Sequence, residues 1–121
     1  MTQVIRLLML GEGATFIAAA LVHFGVLLRG YEHQAAGTAE TVIGSVLLIG
    51  LVVTWIFPRV TRGIGLWVQA FALLGTFVGI FTIIIGIGPR TVPDIAYHAT
   101  ISIALVCGLV VAFRARAAVP N

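Results

Sequence analysis

The chain alternates four long apolar runs with short polar breaks marked by glycine and proline. The runs fall at about 5–28, 39–57, 64–87 and 94–113, each close to the roughly 20 residues that carry a helix across about 30 Å of hydrocarbon. The breaks are Arg29–Gly37, Pro58–Gly63 and Gly88–Pro93, compositions that end helices rather than continue them. Stretches such as Thr82-Ile83-Ile84-Ile85 are rich in β-branched residues. In lipid this does not signal a strand, because a helix satisfies its backbone internally and an open strand cannot. The pattern predicts an all-α, polytopic integral membrane protein: one transmembrane four-helix domain over residues 1–121. Short connections make consecutive helices antiparallel, giving an up-down-up-down bundle.

Composition strengthens this expectation. Hydrophobic residues make up 60% of the chain and charged residues 9%, whereas a soluble domain needs about a quarter charged. The formal net charge of +3 comes from seven arginines against four acids, with no lysine. The arginines stand singly or in pairs at helix ends, not in a stripe on one face, which argues against nucleic acid as a partner. With the N-terminus inside, Arg6, Arg59, Arg62, Arg114 and Arg116 are internal and only Arg29 and Arg90 external. That asymmetry predicts cytoplasmic N- and C-termini, in a bacterial inner membrane. Trp55 and Trp67 flank the inner loop, while Tyr31 and Tyr97 lie near the outer boundary, as interfacial anchors do. Glu12 would interrupt the apolar core of a signal peptide, so the first run reads as a retained helix. The single Cys107 has no intrachain partner and reads as a small core residue. Gly75 and Gly79, and Gly37, Thr41 and Ser45, recur at four-residue spacing and would let helices approach closely.

Ionisable side chains inside a membrane cost several kcal/mol unless paired or hydrated, so they point to function. All three histidines and three of the four acids fall toward the outer end. At about 1.5 Å per residue, His23 on helix 1 and His98 on helix 4 lie at matched depth, roughly 7–8 Å in. Glu40 on helix 2 is slightly higher and Thr82 on helix 3 similar. Asp94 is one turn above His98 on the same face. His23, His98 and Glu40 are thus the candidate metal ligands, with Asp94 orienting the His98 ring and Thr82 nearby. Two imidazoles and a carboxylate suit zinc, iron or copper. A single b-type haem between His23 and His98 is the variant, with Gly25, Gly44 and Ala99 making room. No HExxH, ExxH or CxxC spacing is present. The alternative is a buried network in which His23, Glu40, Asp94 and His98 satisfy one another and fix helix register. His33 reads as a solvated loop residue, and Arg29 and Arg90 as headgroup-level charges.

Toward the inner side, Glu12 lies about 10 Å into helix 1, with Gln69 of helix 3 near its level. Either the two are buried partners, or Glu12 is a titrating carboxyl of a proton-coupled carrier. Length, four spans and the lone carboxyl on helix 1 resemble the small multidrug resistance transporters. The segment Gly65-Leu66-Trp67-Val68-Gln69-Ala70 departs from the aromatic-rich pattern expected of that family, and the outer histidines have no counterpart in it, so none of its residues is carried over. The leading expectation is an outward-facing site for a metal ion or haem with a redox or accessory role. The others are a small proton-coupled transporter using Glu12 and a structural subunit of a larger membrane complex. Besides the bilayer, further copies of the chain or partner helices are expected.

Overall fold

The computed structural model describes residues 1–116, and among them the regular structure is helical throughout. Helix α1 spans Thr2–His23, α2 Gln34–Ile56, α3 Thr61–Ile85 and α4 Val92–Arg114. A short 3-10 turn, Pro58–Val60, leads into α3. All four helices are long and apolar enough to cross a membrane, and the protein is membrane-embedded. Its exterior fits that medium, with Trp67 78% exposed and Ile84 and Phe113 each 71% exposed. The core is correspondingly narrow, built on Ile5, Met9, Phe16, Leu47, Ala72 and Leu105.

Consecutive helices pack side by side, and of the seams between neighbours α1–α2 is the closest and α1–α4 the most open. The side chain of Arg6, near the start of α1, bonds the hydroxyl and carbonyl of Thr54 near the end of α2. Arg62, at the start of α3, reaches the carbonyl of Phe113 near the end of α4. These contacts and the short links are compatible with an up-down-up-down course. The closeness of α1 and α2 has a specific cause. A Cβ on Gly44 would come within 3.0 Å of Phe16 Cβ and 3.1 Å of the Gly13 carbonyl oxygen, so only glycine lets the two backbones meet there.

The helix ends differ from those expected from hydropathy. Helix α1 stops at His23 although Val26, Leu27 and Leu28 continue the apolar run. Gly25 adopts φ +75°, outside the right-handed helical region, and turns the chain. Helix α2 starts at Gln34, some residues early, because the His33 imidazole caps it by accepting from Ala36 N–H at 3.1 Å. Caps, not apolarity, set these boundaries. His23 is consequently the last residue of α1 rather than a residue well below its end.

Two residues sit differently from the sequence expectation. Cys107 is exposed on the outer face of α4 and is not a core residue. Tyr97 is not an exposed anchor: its hydroxyl is buried, without a hydrogen bond among the described residues. Gly75 and Gly79 approach neighbours within the bundle, Ile43 of α2 and His98 of α4 respectively.

Candidate functional site

Four polar side chains converge where the end of α1 meets the beginnings of α2 and α4. His23 bridges two carboxylates: its Nδ1 lies 2.7 Å from Glu40 Oε2 and its Nε2 2.9 Å from Asp94 Oδ1. All three residues are buried, at 3%, 5% and 7% exposure. Proton counting constrains this chain of contacts. Each contact needs one proton, supplied either by an imidazolium donating both or by a neutral imidazole donating one and accepting one from a carboxyl. Both arrangements hold two protons and leave the triad with one net negative charge.

Local structure explains why the pieces stand where they do. Asp94 is locked by a capping box at the start of α4: Thr91 donates its N–H at 3.2 Å and its hydroxyl to Asp94 Oδ2, and Asp94 N–H returns to the Thr91 hydroxyl. A Thr-x-x-Asp box fixes both the helix start and the carboxylate rotamer. With Oδ2 held by Thr91, Oδ1 is left for His23. Glu40 has no such support; its Oε1 is buried and makes no hydrogen bond among the described residues.

His98 joins differently from expectation. Its Nδ1 bonds the backbone carbonyl of Asp94 at 2.7 Å, not the Asp94 carboxylate. A carbonyl oxygen only accepts, so Nδ1 carries a proton, and in the neutral ring it is Nε2 that presents the lone pair. Nε2 lies against Gly79, where a Cβ would be 3.0 Å away. The Tyr97 and His98 rings meet nearly at right angles, with centroids 5.6 Å apart. His33 is not a solvated loop group: it accepts from Ala36 N–H and donates from Nε2 to the Ile87 carbonyl at 3.0 Å, so both its nitrogens are committed.

Glu40 and His98 line one chamber of about 160 Å³ between α2, α3 and α4, together with Phe16, Ile43, Gly79 and Thr82. At about 30 Å³ per water this is room for some five waters, far less than a porphyrin needs. Of the small residues expected to make space for one, Gly44 is filled by Phe16 and Ile17 and Gly25 lies against Glu32. Thr82 reaches the chamber wall but spends its hydroxyl on the Gly79 carbonyl at 2.7 Å. A further opening, between α1 and α4, reaches the other end of the triad. It is lined by His23, Asp94, Tyr97 and Thr15 and encloses about 380 Å³. The triad therefore separates two cavities.

His23 and His98 do not present nitrogens to a common point on equal terms, since both His23 nitrogens are engaged by carboxylates. Among the described residues, no group of three His, Cys, Asp or Glu side chains is arranged to hold a metal ion. Glu40 and His98 both line the chamber, and each keeps one polar atom without a hydrogen bond among the described residues, the buried Oε1 of Glu40 and Nε2 of His98. Sequence reasoning missed Thr91 and the buried role of Tyr97. The Thr-x-x-Asp spacing was a legible signal for Thr91. Tyr97 carried no signal to set it apart from any interfacial tyrosine.

Deeper in the bundle, Glu12 is 4% exposed and Gln69 fully buried. They lie within interaction range of each other, yet no terminal oxygen or nitrogen of either makes a hydrogen bond of normal geometry among the described residues. The expected Glu12–Gln69 pairing is thus one of proximity only. Gln69 instead packs its amide against Gly108 of α4. Glu12 borders another opening, of about 280 Å³, on the α1–α4 seam, with Thr15, Tyr97 and Ala104. No family model, curated protein or solved structure matches the chain.

Proposed function

We propose that this protein binds a cation in the histidine-end chamber, with Glu40 and His98 as the contacting groups. The observation that carries this reading is the pairing of an unpartnered, buried Glu40 Oε1 with a His98 ring whose Nδ1–H is fixed on a backbone carbonyl. Uncompensated negative charge is expensive inside a membrane. The net charge of the triad and the absence of any donor to Oε1 among the described residues both favour a ligand that brings positive charge. His23 and Asp94 support Glu40 instead of contacting the ligand, in the manner of groups that orient a metal-binding side chain.

A transition-metal ion is the form closest to this donor set, since one imidazole and one carboxylate suit zinc, iron or copper. Two protein groups do not fill a coordination shell, so water in the chamber would supply the rest. The apolar walls at Phe16 and Ile43 favour a protonated small amine as the alternative reading. A haem is not carried forward, given the chamber's size and the engagement of His23. The arginine-rich end is taken as cytoplasmic, which turns the chamber outward in a bacterial inner membrane. Glu12, unpartnered among the described residues and bordering an opening on the α1–α4 seam, supports proton-coupled transport as a second reading.

Calorimetry on the detergent-purified protein tests the reading, using zinc, copper(II) and a short alkylammonium as separate titrants. Binding of at least one is expected, lost in Glu40→Gln and in His98→Ala, and retained in His33→Ala. Equal binding by wild type and Glu40→Gln would remove the chamber as the site.

A further inference from the structure

The opposite end of the bundle carries a site of reversed charge. Arg59, Arg62, Arg114 and Arg116 line one pocket of about 400 Å³, formed where the start of α1, the 3-10 turn, the start of α3 and the end of α4 meet. Among the described residues, no aspartate or glutamate lines it. The chain's four acids are Glu12, Glu32, Glu40 and Asp94, and the salt bridges among the described residues all involve the His23 triad. Arg62 makes one long contact, 3.4 Å to the Phe113 carbonyl, and its buried Nε has no partner among the described residues. Four arginines around one concavity make it a favourable place for an anion. The fork of the guanidinium matches phosphate oxygens two at a time.

A second pocket shares a residue with this one. Arg114 also borders an apolar groove of about 430 Å³ between α3 and α4, lined by Leu66, Leu109, Val110 and Phe113. A polar, cationic recess joined through one shared residue to an apolar groove along the helices has the form of an amphiphile: a phosphate head and a hydrocarbon tail. Free phosphate would use the recess and leave the groove without a purpose. Basic pockets between membrane helices are suited to anionic headgroups for this reason.

We infer that the arginine end holds an anionic phospholipid, its phosphate among Arg59, Arg62, Arg114 and Arg116 and one acyl chain in the Leu66–Leu109–Phe113 groove. This assignment is independent of the cation chamber, which lies at the other end of the bundle. A lipid held there ties α4 to α3 and to the beginning of α1.

Native mass spectrometry and thermal melting of the protein in a neutral detergent test this, with added phosphatidylglycerol, phosphatidylcholine or inorganic phosphate. Phosphatidylglycerol is expected to remain bound and raise the Tm, and phosphatidylcholine to do neither. Each of Arg59→Gln and Arg114→Gln should weaken retention of phosphatidylglycerol about fivefold. Val110→Trp, which fills the groove, should reduce lipid retention while leaving the arginines intact. Should either arginine variant fold poorly, Arg116→Gln, on an exposed residue near the end of the described chain, gives the same readout. Equal retention of phosphatidylglycerol and phosphatidylcholine would overturn the assignment. So would an equal Tm shift from inorganic phosphate with no effect of Val110→Trp, which would mark a free-phosphate site instead.

Discussion

Replacing His23 with alanine removes both contacts that connect Glu40 to Asp94, and the two carboxylates are affected unequally. Asp94 keeps the Thr91 N–H and hydroxyl, so it loses one of several donors. Glu40 loses its single hydrogen-bond partner among the described residues, because Oε1 already has none. A hydrogen bond to a charged group contributes about 1.5–3 kcal/mol, and stranding its buried partner costs toward the upper end. Taking the upper figure for Glu40 and the lower for Asp94 gives about 4–5 kcal/mol, comparable with breaking a buried ion pair from one side. Water entering from the adjoining opening of about 380 Å³ lowers this, so His23→Ala is expected to cost about 3–4 kcal/mol. Unfolding by sodium dodecyl sulfate in mixed micelles, followed by tryptophan fluorescence, measures it. A cycle with Glu40→Leu is the sharper version: removing both partners abolishes the stranded group, so the double variant should be more stable than the sum of the singles predicts, by at least about 2 kcal/mol. Single effects below about 1 kcal/mol, or additivity within about 0.5 kcal/mol, would refute the bridged triad.

Two other outcomes follow from groups elsewhere in the chain. Because Glu12 has no hydrogen-bonded partner among the described residues, Glu12→Leu should hold or raise stability in the same unfolding assay, by up to about 2 kcal/mol; a loss of more than about 1 kcal/mol would mean that Gln69 is its bonded partner after all. In a Cys107→Ser background, a cysteine at Gln34 should react with an impermeant maleimide added to intact cells and one at Arg59 should not; the reverse labelling pattern would invert the orientation taken from the arginines.

The four helices were legible because lipid imposes a simple requirement: about 20 apolar residues in a row, with the backbone bonded to itself. Their ends were not, because hydropathy counts Val26, Leu27 and Leu28 as membrane residues while the chain turns at Gly25. The shift moved His23 to the helix terminus, and that changed its chemistry. A histidine buried one or two turns inside α1 could only meet α4 sideways. At the terminus its ring spans from α1 to the second turn of α2 and the first turn of α4 and uses both nitrogens.

The gathering of histidines and acids at one end was visible from spacing alone, yet spacing gives depth and face, not which atom each residue spends locally. Asp94 illustrates the point. Its position one turn above His98 suggested a carboxylate support for that ring; in the fold, its backbone carbonyl performs that task and its carboxylate serves His23. The cause is the capping box with Thr91, which holds Asp94 in the rotamer that turns Oδ1 toward α1. His33 shows the converse. Two local backbone contacts consume both its nitrogens, so a residue close to the triad in sequence and in space, with its ring centroid 6.4 Å from that of His23, has nothing left to offer a ligand. In a bundle this small, the useful polar atoms are those that helix ends and caps leave over. By that criterion the atoms left over at the histidine end are Glu40 Oε1 and His98 Nε2, on different helices whose residues line one chamber.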